Sequence, residues 1–413
     1  MSTSSSEPDA DRVVANLFRH SAGQITATLV RVLGPDRLEL AEEAVSEAML
    51  RALRVWPDEG VPDNPRGWLF RTARNRAIDE LRREESLRGK LVLLDEPGTT
   101  EQTGDDAELA LIFLCCHPGL PQVSQVALTL KTVGGLGVEE IAAALLSNPS
   151  TVAQRLVRAK RWLRADAVRI EVPPPDELPA RVDSVLAVLY LLFNAGYDAT
   201  TGENAIRHEL CGEAIRLCSL VLADRRTDLP RARALLALMQ LQASRLPARL
   251  NGSGDPLLLA EQDRSKWDQA LIASGARNLA GAAQGSELSP YHVEAAIAVC
   301  HASARDEQST DWLRIVSLYD QLLALRPSPV VELNRGIALA MADGPQAGIA
   351  ILEGLANRGE LANYVLLPSA LGALRLRADD PARAAVHYRE ALELPCSEPT
   401  RRFLANQLAK CTR

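Results

Sequence analysis

Residues 147–165 hold five basic side chains, Arg155, Arg158, Lys160, Arg161 and Arg164, and no acid. Residues 66–90 hold eight bases against four acids. Cationic groups at helical spacing suit a phosphate backbone, while neighbouring polar side chains read the bases. No comparable set of residues for covalent catalysis occurs. The sequence has no Gly-x4-Gly-Lys phosphate loop, no Gly-x-Ser-x-Gly nucleophile elbow and no His-Glu-x2-His zinc motif. Its six histidines are scattered. Cys115-Cys116-His117 comes nearest to a metal site, but adjacent residues on a helix point about 100° apart and chelate one ion poorly. Core packing is the better reading for these residues, and equally for Cys211 and Cys218. The expectation is a binding protein without catalytic residues, metal or cofactor.

These residues must be held by helices. Apolar residues recur at three and four, as in Leu38, Ala41, Val45, Ala48, Met49 and Ala52. Few stretches alternate as strands do. Residues 138–146 read as a short helix with Glu139 and Glu140 in its first turn. Ser147-Asn148-Pro149 stops it, and a basic helix follows, with Ser150 or Thr151 as candidate caps. Val152, Leu156, Ala159 and Leu163 form the inward stripe of this second helix. The opposite face carries Ser150, Ala153, Gln154, Val157, Arg158 and Arg161. This is a helix-turn-helix, whose second helix fits the major groove. Gln154 suits adenine, and Arg158 suits guanine or phosphate.

The chain has 413 residues, enough for several domains, and a net charge of -7. That total hides its distribution. Residues 1–165 carry 20 bases and 23 acids, with the bases gathered in the two islands above. Six acids and no base lie in 91–110, so 91–109 reads as a flexible acidic linker around Pro97-Gly98. Residues 1–10 read as a polar tail. The longest apolar run is nine residues, 185–193, against the roughly 20 of a membrane span. The N-terminus lacks the order of a signal peptide. The expectations are a cytoplasmic protein, no membrane, and reduced thiols.

Two strings carry a family resemblance. Ala41-Glu42-Glu43-Ala44-Val45-Ser46-Glu47-Ala48-Met49 resembles the pattern A-E-D-L-V-Q-E-A-F of extracytoplasmic-function (ECF) sigma factors of bacterial RNA polymerase, with Ser46 in place of the usual Gln. Pro65, Arg66, Trp68, Leu69, Ala73, Asn75, Asp79, Arg82 and Arg83 fill that family's second pattern in order. The helix-turn-helix resembles the family's second DNA-binding domain, with Ala153 and Gln154 departing from its commoner residues. The resemblance implies an all-α protein with a region-two domain over 11–90 and a region-four domain over 110–166. Glu42, Glu43, Ser46 and Glu47 would dock on the clamp of the polymerase largest subunit. Trp56, Trp68, Arg71, Arg74, Asn75, Arg76, Asp79, Arg82 and Arg83 would recognise and melt the -10 element. The loop 55–64 would capture a flipped base. Ser150, Thr151, Ala153, Gln154, Arg155, Val157, Arg158 and Arg161 would read the -35 element, and core polymerase (clamp and flap) and promoter DNA would be the partners.

An ordinary member ends near residue 170. The remaining part, 167–413, reads as helical. Trp312, Ile315, Leu318, Tyr319, Leu322 and Leu323 resemble half of a tetratricopeptide repeat, as do Tyr388, Ala391 and Leu392. The two tyrosines are 69 positions apart, about twice the roughly 34-residue repeat. Three degenerate helical pairs of a solenoid are therefore expected over about 310–410. By resemblance to sigma factors with such an extension, it would modulate activity in cis, with an intramolecular or protein partner. The alternative is a helix-turn-helix regulator with a tetratricopeptide sensor that is not a polymerase subunit. That alternative leaves the 66–83 string without a task.

Overall fold

The structure is a computed structural model, and it describes residues 21–83, 102–145, 147–166, 168–197 and 206–411. The expected polar tail, 1–10, and most of the acidic linker lie outside the described residues. The chain forms two compact units, residues 1–191 and 192–413. The described residues are helical apart from turns and one isolated bridge, Leu250 to Pro256.

In the first unit, α1 spans residues 21–33. Gly34, at φ 96°, turns the chain into a short 3-10 turn, Pro35–Arg37. That backbone region is open to glycine because it has no Cβ. Then come α2 (Leu38–Glu59) and α3 (Pro65–Arg83). α2 buries Ala41, Ala44, Val45, Ala48, Ala52 and Trp56. α3 buries Leu69, Ala73, Ala77, Ile78 and Leu81. Alanine-rich faces let the two helices approach closely.

Next are α4 (Gln102–Cys115), α5 (Gln122–Thr132), α6 (Val138–Ala144) and α7 (Pro149–Ala165). The expected linker therefore ends early: 102–109 is helical, and Ala107, Glu108 and Leu109 are buried. Ala107, Leu109, Leu111, Ile112 and Leu114 outweigh the acids of this stretch once they have a core to enter. Cys115 and Cys116 are core residues, and burial pushes the Cys116 thiol up to about 12.

Helix α8 (Leu178–Tyr197) carries the boundary between the units. By length and composition alone it is apolar enough to cross a membrane, although its unbroken apolar run is short. Half of it is buried inside the protein, Val182, Val185, Leu186 and Leu189 included, as in the core helix of a globular unit.

The second unit continues with α9 (His208–Ala223), α10 (Pro230–Ala243), α11 (Gln269–Ala282) and α12 (Pro290–Ser303). It ends with α13 (Trp312–Leu325), α14 (Pro329–Asp343), α15 (Pro345–Arg358), α16 (Leu366–Arg377), α17 (Pro381–Glu393) and α18 (Glu398–Cys411). Proline opens five of these helices, where its fixed φ fits and its missing N–H costs nothing. Asp268, Asp311 and Asp380 cap α11, α13 and α17. Each helix packs on its chain neighbour, as in a solenoid. Tyr319 and Tyr388 fall on α13 and α17, two helix pairs apart as the repeat spacing requires. Ile349, Leu352 and Leu355 of α15 fill the middle unit against Leu367, Leu371 and Leu374.

Helices α14 and α15 touch almost backbone to backbone. A Cβ on Gly348 would lie 2.5 Å from the Gly336 carbonyl oxygen and from the Ala340 Cβ. Gly348→Val is expected to destabilise the second unit by about 3 kcal/mol, the upper end for overpacking, because backbone cannot swing aside. Urea unfolding of wild type and variant measures this, and an unchanged midpoint would contradict the close approach.

Candidate nucleic-acid interface

On α3 the exposed residues are Arg71, Asn75, Asp79, Arg82 and Arg83. Arg74 is half-buried, and its Nε is shielded with no hydrogen-bond partner among the described residues. Arg76 bridges to Glu47 of α2 and to Glu80, 2.5 Å away. The Arg76 hydrogen bonds hold Arg76 protonated and lower the Glu80 carboxyl. One residue expected on DNA and one expected on polymerase are thus bound to each other.

Between α2 and α3 lies a groove of about 480 Å³, lined by Glu47, Leu50, Arg51, Arg54, Thr72, Asn75, Arg76 and Asp79. Its lining mixes three arginines with two carboxylates and the apolar Leu50, and Asn75 offers both donor and acceptor. Arg51 and Arg54 were missed in the sequence. Their signal was present: they follow Glu47 by four and seven positions and so share its helix face.

The tryptophans divide. Trp56 is 6% exposed and sits inside α2, which runs through Pro57 to Glu59. The expected loop 55–64 shrinks to 60–64, and Trp56 is a core residue rather than a base contact. The physical reason is its place on the inward stripe with Ala48 and Ala52. Trp68 is half-buried and meets Trp56 edge-on at 5.6 Å.

The helix-turn-helix forms as read, with two adjustments. The first helix stops at Ala144, and Asn148 rather than Ser150 or Thr151 is the cap, accepting from the Thr151 N–H at 2.9 Å. Val152, Leu156, Ala159 and Leu163 are buried. Ser150, Gln154, Val157, Arg158 and Arg161 are exposed, with Thr151, Ala153 and Arg155 partly so. Val157 is 52% exposed although apolar.

Two of the five bases of α7 pair with acids of α2 instead. Lys160 Nζ donates to Glu42 at 2.5 Å, and both side chains are only 12% exposed. The Thr132 hydroxyl donates to the other Glu42 oxygen at 2.6 Å. Arg164 pairs with Glu39 at 2.8 Å, with both partners about half exposed. A Cβ on Gly23 of α1 would lie 2.3 Å from the Val133 carbonyl oxygen. Of the four expected docking residues, Glu43, Ser46 and Glu47 are exposed. Glu42 is not on an open face: it is covered by α5 and α7. Nothing in the sequence marks this contact, whose partners are 118 positions apart.

Residues 17–86 match the family described as Sigma-70 region 2, and residues 110–163 match Sigma-70, region 4. The ECF RNA polymerase sigma factor SigL of Mycobacterium tuberculosis (strain ATCC 25618 / H37Rv) is 36% identical over 129 residues, 30% of this chain and 72% of that one. The chain belongs to the ECF sigma-factor family. An uncharacterized protein of Rhizobium meliloti (strain 1021) is 36% identical over 382 residues, covering 90% of each chain, so the long extension of this sigma factor is shared with that relative. Residues 181–283 match a family of unknown function, DUF6596. No solved structure matches the chain. As a sigma factor it directs RNA polymerase to promoters and initiates transcription, with α3 and α7 in its two DNA-binding regions.

Proposed function

We propose that this sigma factor opens promoters through the α2–α3 groove and selects them through the outer face of α7. In this reading Asn75, Thr72, Arg51 and Arg54 receive a base flipped from the non-template strand, and Trp68 borders the site. Arg71, Arg82 and Arg83 neutralise phosphates, while Arg74, Arg76 and Asp79 shape the wall. Ser150, Gln154, Arg158 and Arg161 read the upstream element, with Thr151, Ala153, Arg155 and Val157 beside them. Glu43, Ser46 and Glu47 meet the polymerase clamp, Glu42 joins them once α7 moves off, and region four meets the flap. The extension acts on these regions in cis. The factor works where polymerase is, in the cytoplasm, and binds rather than catalyses.

The observation that supports this best is that two separate modules, each matched by its own sigma region, expose a cationic helix face. Transcription by core polymerase with and without the protein tests the reading, and promoter activity independent of it would end the proposal. Arg158→Ala is expected to weaken recognition of the upstream element by about 1–3 kcal/mol, in a base-specific way. Arg71→Ala should instead weaken binding evenly across sequences and lower the salt slope by about one. Competition binding of the holoenzyme to promoter variants at several salt concentrations separates the two.

A further inference from the structure

Helices α10 and α11 are joined by residues 244–268, a long connection built of three 3-10 turns. Helix–helix connections are commonly about 2–8 residues, so this one is unusually long. It is held in place at its far side, where Arg402 of α18 reaches the buried Asp255 at 2.7 Å.

At the base of this connection stands Trp267, only 3% exposed. Two guanidinium groups lie over its ring, Arg264 at 4.9 Å and Arg245 at 5.4 Å from the centroid. Arg264 Nη1 donates to the carbonyls of His301 and Ala304, each at 2.7 Å. Arg245 Nη2 reaches Gln262 Oε1 only at 3.4 Å. Among the described residues, four nitrogens here are buried without a hydrogen-bond partner: Arg245 Nε, Arg264 Nη2, Trp267 Nε1 and His301 Nδ1.

Among the described residues, neither arginine has a carboxylate within ion-pair distance. The acids that act on Arg264 from farther off are committed elsewhere. Asp306 accepts from the Ser309 N–H, and Glu307 pairs with Arg377. Burial and the two cations push the His301 imidazole down to about 4, so it is neutral and adds no third charge.

Two guanidinium groups on one indole, with further buried nitrogens beside them, gather cationic and N–H donor groups around one ring. A buried donor without a partner is costly, and clusters of them in native folds call for an ion, a water or a ligand. Guanidinium forks match planar carboxylates and tetrahedral phosphates, and an indole N–H is a donor only. We propose that Arg245, Arg264, Trp267 and His301 bind the oxyanion head, phosphate or carboxylate, of a small-molecule ligand of the extension. Arg264 and Trp267 are the fixed part, anchored by carbonyls and by packing. Arg245 is the movable part: it is half-buried, and its long contact with Gln262 exchanges easily. The bound anion ties the 244–268 connection to α12. The assignment does not depend on which residues touch promoter or polymerase.

The test is thermal unfolding of the full chain, with tryptophan fluorescence, in sodium phosphate or sodium acetate against sodium chloride at equal ionic strength. Wild type is expected to show a saturable rise in Tm with one or both anions, and the one that acts identifies the head group. Arg245→Gln and Arg264→Gln should each weaken that response at least tenfold. Arg335→Gln, which breaks an ion pair with Asp320 elsewhere, should leave it unchanged. Should Arg264→Gln fail to fold, because it frees two carbonyls, Arg245→Gln carries the comparison alone. A Tm that responds to neither anion beyond chloride, or a response kept intact in Arg245→Gln, overturns the proposal.

Discussion

Lys160→Ala is expected to raise the affinity of the free sigma factor for core polymerase about tenfold or more. Lys160 and Thr132 are the partners of Glu42, and both ends of the ion pair are nearly buried. Removing one member of a buried pair leaves an uncompensated charge, at a cost of about 3–5 kcal/mol. The carboxylate escapes that cost when α5 and α7 move away and water reaches it. The variant therefore shifts toward the form in which the α2 face is open. Apparent affinity scales with the populated fraction of that form, and each 1.4 kcal/mol is about tenfold. Arg164→Ala serves as the contrast. Its pair with Glu39 is about half exposed, and such pairs contribute only about 0–1 kcal/mol. Titration of labelled sigma factor with core polymerase, in the absence of DNA, measures both. Unchanged or weaker binding by Lys160→Ala would show that the contact between the two regions does not gate docking.

Asn75→Ala should lower open-complex formation about 5- to 150-fold while leaving core binding as it was. Asn75 lies exposed in the α2–α3 groove with Thr72, Arg51 and Arg54 around it. A bidentate contact to a base edge contributes about 1–3 kcal/mol, and unstacking a base costs a similar amount that the groove must offset. Arg54→Ala, from the opposite wall, should act in the same direction. Permanganate footprinting of the melted region, run beside a core-binding assay, separates the two steps. Equal melting by wild type and Asn75→Ala would remove Asn75 from the site. On premelted promoter DNA the defect should persist, because the contact is to the strand and not to the act of melting.

The helices were legible because their signals are local. Leu38, Ala41, Val45, Ala48 and Ala52 of the stripe read on α2 are buried and Met49 only partly so, while Val152, Leu156, Ala159 and Leu163 of α7 are all buried. The same rule placed Ser150, Gln154, Arg158 and Arg161 outward. Charge composition misled over 102–109, where acids suggested a linker. At Trp56 the family resemblance suggested a base contact, whereas its spacing from Ala48 and Ala52 already placed it on the buried stripe. The Asn148 cap was missed because three capping residue types, Asn148, Ser150 and Thr151, stand within four positions, and each would start the helix at a different residue.

The sequence by itself determined the helices, their inward faces, the two basic islands and, through its motifs, the family. Periodicity and capping act over a few residues, so one strand of text contains them. Only the tertiary structure decided which charges remain free. Counting five bases on α7 could not show that Lys160 and Arg164 meet Glu42 and Glu39. Nor could it show that Arg76 holds Glu47, or that Arg245 and Arg264 share Trp267 without an acid. The reason is that electrostatic energy depends on distance and burial in space, and residues on different elements acquire both only when the chain has folded.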